Sequence, residues 1–180
     1  MSKLIRNRGP ANDSWRLLDS DIRRWVSPGE DGFVPDFPRD ADLIVPLALW
    51  RLRRDDLLDR PGGAGVWLDA GEDPEAIGPD LDRLDLVAVR FPKFSDGRGF
   101  STARLLRERH GFAGELRAIG DVIRDQLFYL ERCGYDAFAL REDQDLAGAL
   151  AAFAELTERY QPAVDQPLPL FRRRFATAAA

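Results

Sequence analysis

Apolar and polar positions form two kinds of segment in the middle of the chain. Short, nearly continuous apolar runs predict buried strands, and the stretches between them have helical spacing or helix-capping residues. The predicted strands are Leu43–Leu49, Gly65–Asp69, Asp85–Phe91, Glu115–Ile119 and Ala137–Leu140. Apolar strands that alternate with helices are typical of a parallel sheet covered on both faces. The pattern therefore predicts an α/β fold with about five mostly parallel strands.

The segments between and after these strands predict the helices. They are Trp50–Arg60, a short helix from Asp73 and Pro74, Ser101–His110, Asp121–Cys133 and Asp143–Tyr160. Pro46 demotes the first strand to an edge strand or to one that ends early. Two architectures stay open, an open three-layer sheet and a half-barrel, because a complete eight-unit barrel typically needs about 250 residues.

The two ends of the chain have less regular patterns. An N-terminal β-hairpin is predicted, with strands Lys3–Arg8 and Ser14–Leu18 on either side of the turn residues Gly9–Asp13. Prolines and glycines predict an irregular linker over residues 27–40 and a largely irregular tail after Tyr160. The sequence thus predicts an N-terminal hairpin and linker packed on the core, an α/β core and a Pro-rich C-terminal tail, at residues 1–40, 41–160 and 161–180.

Composition narrows the functional classes. The net charge of −5 argues against a general nucleic-acid binder. No apolar run approaches the roughly 18 residues that span a bilayer, and the first residues lack the apolar stretch of a secretion signal. A cytoplasmic protein without membrane contact is expected. With Cys133 as the single cysteine and His110 as the single histidine, no redox pair or His-rich metal centre is predicted, and the cofactor is unknown.

Two loops form the best candidate site. They are Phe91–Ser101 and Gly120–Gln126, and each follows a predicted strand. Ligands of parallel α/β sheets bind at the carboxyl ends of the strands. If the two strands are parallel neighbours, both loops emerge on one edge and share a pocket.

The residue types in and near these loops suggest an anion site. Arginine suits bidentate binding of an oxyanion, and a helix start capped by Ser101 would offer free N–H groups. Asp121 and Asp125, one helical turn apart, could move protons as catalytic groups. The candidate substrate-binding residues are Lys93, Asp96, Arg98, Ser101, Arg104, Arg117 and Gln126. Structural alternatives stay open: a tight turn with solvated charges, Asp121 as a helix cap, and an ion pair of Arg117 with Glu115.

Two blocks of the sequence are similar to a known family. The run Phe91–Ser101 and the run Gly114–Val122, followed by Asp125-Gln126 and Cys133–Phe138, resemble a bacterial domain-of-unknown-function family. Its members are usually labelled as an oxidoreductase of sulfite reduction and tend to be encoded beside assimilatory sulfite reductase. The resemblance extends from about Leu43 to Tyr160. It implies a role in sulfur assimilation and carries no agreed catalytic residues.

Three functions are compatible with these observations. The first is an accessory protein of assimilatory sulfite reduction that contacts sulfite reductase or another sulfur-assimilation enzyme. The second is a small enzyme or binding protein for sulfite, sulfate or a phosphate ester. The third is a scaffold domain whose sheet edge forms a homodimer. The first is preferred because the chain has no redox cysteine pair, iron–sulfur motif or dinucleotide fingerprint.

Overall fold

Eight strands form one mixed sheet in the computed structural model, which describes residues 3–29, 32–156 and 158–178. The strands of the described residues are β1 Leu4–Arg6, β2 Gly9–Ala11, β3 Arg16–Leu17, β4 Val26–Gly29, β5 Gly32–Pro35, β6 Leu43–Pro46, β7 Ala64–Leu68, β8 Leu86–Phe91, β9 Glu115–Gly120 and β10 Ala137–Ala139. The α-helices are α1 Leu47–Leu58, α2 Arg98–Arg104, α3 Leu127–Arg132, α4 Leu146–Ala151 and α5 Leu170–Ala178. The remaining helical turns are Ile22–Arg24, Pro74–Arg83, Leu105–Arg109, Arg124–Gln126 and Ala152–Ala154.

The strand order shows how the chain builds the sheet. The order is β2-β1-β10-β9-β8-β7-β6-β3, and all neighbours from β10 to β3 are parallel. From β6 to β10 each strand is added beside the previous one, so right-handed crossovers place every connecting helix on the same face. The predicted α/β fold is confirmed, as are its five central strands. Three further strands, all from the N-terminal part, extend the sheet at its two edges.

The sheet is curled, and the connection between its edge strands requires this. Strands β2 and β3 lie at opposite edges. Seven strand spacings of a flat sheet would separate them by about 34 Å. Residues 12–15 join them, and the five steps from Ala11 to Arg16 reach at most about 18 Å. The sheet must therefore bend until its edges approach, which decides between the two architectures in favour of the half-barrel.

The two faces of the curled sheet are covered differently. On the convex face, strand residues such as Val66, Val87 and Leu116 pack against the helices in the main core. On the concave face a second, smaller cluster contains Ile44, Trp67, Leu86, Ala88 and Ile119. Residues 12–15 cross this concave face, and we call them the crossing segment. The concave face is thus the place where side chains of the sheet meet the N-terminal part of the chain.

The N-terminal hairpin exists, but its predicted turn and second strand are wrong. Asn7 and Arg8 form the turn with φ of 49° and 62°, so the expected turn residues from Gly9 onward become β2. A two-residue turn with positive φ matches the twist of a hairpin, and asparagine tolerates that conformation. The expected second strand, Ser14–Leu18, supplies β3, which pairs with β6 at the far edge.

The linker and tail also differ from the prediction. Residues 27–40 were expected to be irregular, yet β4 and β5 form an antiparallel hairpin there. The predicted irregular tail contains α5, which begins directly after Pro169. A proline just before a helix removes no hydrogen bond that the helix needs.

Three helix boundaries were also misplaced. α2 begins at Arg98, three residues before the expected cap Ser101. The expected helix Asp121–Cys133 begins only at Arg124, after an extended Ile123. The expected helix Asp143–Tyr160 is reduced to α4 and one 3-10 turn ending at Ala154, and residue 157 lies outside the described residues. Strand β6, by contrast, ends at Pro46 and α1 begins at the next residue, which confirms the prediction that this strand ends early.

Within the described ranges, no helix is both long enough and apolar enough to cross a bilayer.

Candidate functional site

The loops after β8 and β9 meet, as the sequence predicts. The two strands are parallel neighbours, and Phe91 is paired in register with Gly120 at their ends. The Asp121 carboxylate accepts a hydrogen bond from the Phe94 N–H at 2.8 Å, and the Gln126 amide donates to the Phe94 carbonyl at 2.8 Å. Both loops therefore leave the same edge and are held together by side-chain-to-backbone bonds. We call them the rim loops.

Asp121 joins the rim loops and does not cap a helix. One carboxylate oxygen holds Phe94, and the other accepts from Arg141 Nη1 at 2.5 Å. The Phe94 N–H and, second, the Arg141 guanidinium lower the pKa of Asp121 below its usual value. A carboxylate held ionised by two donors is a weak base, so the geometry argues against the predicted proton transfer.

The remaining loop residues are paired or isolated. Asp96 accepts from Arg98 Nε at 3.0 Å and from Nη2 at 2.7 Å, and Arg98 holds the pKa of Asp96 at about 2. Lys93 is exposed and has no ion-pair partner within the described ranges. Asp121 lies outside the helical turn that begins at Arg124, so it shares no helical face with Asp125, which is 80% exposed and lies 3.4 Å from Arg124. The predicted pair of catalytic carboxylates is therefore not assembled.

The four predicted anion-binding cations do not converge. Arg104 lies on α2, on the convex side, where it pairs with Glu108 at 2.9 Å. Ser101 is exposed inside the same helix and does not cap it. Arg117 is in the middle of β9 and lies on the concave face, opposite the helices. The expected cradle of Lys93, Arg98, Arg104 and Arg117 is thus divided between two sides of the sheet.

Arg117 itself occupies an unusual position. Its side chain is 2% exposed. Nε donates to Glu115 at 2.7 Å, and Nη1 donates to both oxygens of Asp13 at 2.9 and 3.0 Å. Nη2 is buried and has no hydrogen-bond partner within the described ranges. A buried N–H of a charged group without an acceptor costs about 1–3 kcal/mol, so this nitrogen calls for an explanation.

A hollow of about 360 Å³ lies beside Arg117 on the concave face, near the carboxyl ends of β9 and β10. We call it the concave hollow. Its apolar wall includes Trp15, Ile44, Ile119 and Ala139, and its polar lining includes Asp13, Arg117, Arg141 and Glu142. The volume lies at the lower end of the usual range for small-ligand sites, and a mainly apolar wall with few polar groups is typical of them.

Glycines allow two close approaches around the hollow. A Cβ on Gly65 would stand 3.2 Å from Cζ3 of Trp15, so its absence gives the indole room on the concave face. At the end of β9, Gly120 has φ +93°, and a Cβ there would stand 2.4 Å from the Phe91 carbonyl oxygen. Gly120 therefore allows the chain to turn sharply between the hollow and the rim loops.

The sequence missed several residues of the hollow. Trp15 packs the N-terminal part onto the domain over Gly63 and Gly65. The sequence predicts a turn at Asp13 and gives no signal for a role of Arg141. Asp13 and Arg117 are 104 positions apart, and no local pattern marks such a pair.

The described residues contain no group of three or more His, Cys, Asp or Glu side chains that could hold a metal ion. Cys133 is buried, and burial raises the pKa of its thiol. His110 lies 3.8 Å from Glu75 at the end of the helical segment that continues α2.

The fold and the hollow define an α/β half-barrel whose concave face carries a mainly apolar cavity with a few charged side chains. The chain belongs to DUF934, a family of bacterial proteins of unknown function, whose model matches residues 65–171. This range includes Arg117 and both rim loops but not the crossing segment. A comparison with curated proteins returned no match.

Proposed function

We propose that this protein is an accessory protein of assimilatory sulfite reduction that holds a small oxyanion in the concave hollow. The pathway is inferred from the resemblance of Phe91–Ser101 and Gly114–Val122 to proteins labelled with sulfite reduction. The ligand class is inferred from the chemistry of Arg117. Sulfite, sulfate and related oxyanions are the candidates that agree with both.

The observation that carries the proposal is the unused Nη2 of Arg117. A guanidinium presents several donors in a fixed plane, and this plane matches the spacing of oxygens in an oxyanion. Here one of its three nitrogens has no acceptor although the side chain is buried beside a cavity. A bound oxyanion would supply that acceptor, and the apolar walls would strengthen the bond by excluding water.

Thermal unfolding with added sulfite, sulfate, phosphate or adenylylated sulfate tests the binding. A ligand at 100 times its Kd stabilises the folded state by about 2.7 kcal/mol. For a domain of this size that corresponds to a rise in Tm of roughly 5–10 °C. No rise with any of the four anions, at concentrations well above a plausible Kd, would defeat the proposal.

Two variants locate the site. Arg117→Lys keeps the positive charge but not the planar fork, so it should lose most of the shift in Tm. Arg104→Lys is the matched control, because Arg104 is also a sequence-predicted binder but lies on the convex side with Glu108. Equal shifts in both variants would place the anion elsewhere.

A growth test examines the pathway independently of the ligand. A deletion strain should grow on sulfide but not on sulfate or sulfite if the protein acts at the sulfite step. Growth on sulfite would remove the pathway assignment and leave anion binding untouched.

A further inference from the structure

We infer that the oxyanion binds by exchange: it takes the place of the Asp13 carboxylate on the Nη1–Nη2 end of Arg117. This inference rests on the proposed function and specifies its site, its ligand class and its competitor. Asp13 belongs to the crossing segment, so a carboxylate of the chain itself occupies Arg117 in the absence of ligand.

The contact between Asp13 and Arg117 leaves part of the guanidinium unused. Both oxygens of Asp13 accept from the same nitrogen, Nη1, at 2.9 and 3.0 Å, and Nη2 has no acceptor. An oxyanion placed across Nη1 and Nη2 would form two parallel bonds where Asp13 uses only one nitrogen. The preferred ligand is therefore one with two oxygens on a single central atom, such as sulfite, sulfate, phosphate or a carboxylate.

The charges around Arg117 are balanced. Arg6 lies 2.7 Å from Glu115, Glu115 lies 2.7 Å from Arg117, and Arg117 holds Asp13. Two guanidinium groups and two carboxylates give this chain of contacts a net charge of zero. An anion added to the intact cluster would meet two carboxylates, whereas an anion that replaces Asp13 keeps the balance. This favours exchange over addition.

Asp13 belongs to a part of the chain that few contacts hold in place. The crossing segment has no regular structure, and its neighbours β2 and β3 have three and two residues. Apart from Arg117, the Asp13 carboxylate accepts only from the Trp15 N–H at 3.2 Å within the described ranges. Glu115, in contrast, is fixed on β9 between two arginines. Of the two carboxylates on Arg117, Asp13 is the one that a ligand can displace.

Sulfite affinity of three variants tests the exchange. Asp13→Asn removes the competing charge with little change of shape, so sulfite should bind at least tenfold more tightly than to the unmodified chain. Glu142→Gln is the matched control, because it removes one negative charge from the lining of the same hollow without a bond to Arg117. It should change the affinity less than threefold. Arg117→Lys should abolish measurable binding.

The outcomes separate the inference from the proposed function. Sulfite binding that requires Arg117 but is unchanged in Asp13→Asn would overturn the exchange and leave the proposed function standing. Equal tightening by Asp13→Asn and Glu142→Gln would show a general charge effect and would also overturn the exchange. No sulfite binding by any folded form would defeat both.

Hydrogen exchange on the unmodified chain gives a test that needs no variant to fold. If sulfite displaces Asp13, the Trp15 amide loses its acceptor, so peptides covering residues 12–16 should exchange faster at saturating sulfite. Strands β8 and β9 should exchange more slowly in the same sample, because ligand binding stabilises the fold. Slower exchange in both regions would show that sulfite adds to the closed cluster, which would refute the exchange.

Discussion

Replacement of Arg117 by leucine should destabilise the fold strongly, because it leaves two carboxylates without their shared cation. Glu115 and Asp13 are 15% and 17% exposed, so neither is fully hydrated. Removal of one partner from a buried ion pair typically costs 3–5 kcal/mol. In the variant, Glu115 still pairs with Arg6, and Asp13 still accepts a hydrogen bond from the Trp15 N–H. The expected loss in the free energy of unfolding is therefore near the lower limit, about 3 kcal/mol.

A double-mutant cycle in urea shows whether this loss comes from the ion pair. Asp13→Asn removes one of the two stranded carboxylates in advance, so the double variant should be more stable than additivity predicts by about 1–2 kcal/mol. Equilibrium unfolding at pH 7, followed by tryptophan fluorescence, gives all four free energies. Arg104→Leu serves as the control and should cost no more than about 0.5 kcal/mol, because its pair with Glu108 is exposed. A loss below 1 kcal/mol for Arg117→Leu, or strict additivity, would refute the reasoning.

Three further predictions concern the rim, the turn beside the hollow and the tail. Because Arg98 holds the pKa of Asp96 at about 2, the stabilisation that this pair provides is present above the unfolded value near 4 and is lost as the pH falls toward 2. Acid unfolding followed by circular dichroism should show a smaller decline over this range in Asp96→Asn, and identical curves would contradict it. Gly120→Ala should cost more than about 1–2 kcal/mol in urea unfolding, since its φ of +93° and the nearby Phe91 oxygen both oppose a side chain. An unchanged urea midpoint would contradict that. The contact proposed with sulfite reductase can be tested on the tail: if residues 161–180 form that contact, the enzyme should co-purify with the full chain but not with a chain that ends at Tyr160, and equal recovery would exclude the tail.

The central part of the fold could be predicted because its signals are local. Each of the five central strands is a short apolar run, and the rim loops follow directly from the order of parallel strands. The rim loops meet as predicted, but the bond that joins Asp121 to the Phe94 N–H is not predicted. A helix cap and a bond to a neighbouring loop require the same residue type, so the local sequence does not distinguish these two roles of Asp121.

The concave face could not be predicted because it depends on contacts that are distant in sequence. Strand β1 pairs with β10, and β3 pairs with β6, although the first seventeen residues suggest a hairpin that closes on itself. Helix ends were mispredicted because they also depend on distant contacts. The Gln126 side chain donates to the Phe94 carbonyl and accepts from the Ile123 N–H, and these bonds fix where the helical turn Arg124–Gln126 begins. Local propensity does not contain these partners.

The pairing of β1 with β10 has a consequence for synthesis of the chain. Leu4 is paired with Ala139, so after β1 is synthesised about 135 more residues must follow before its neighbour exists. At the usual speed of translation this delay is on the order of ten seconds. The nascent central strands can meanwhile assemble with their helices on the convex side. Strand β3 can pair with β6 early, whereas β1 and β2 can join the sheet only once β10 exists, which makes the β10 edge the last part of the sheet to assemble.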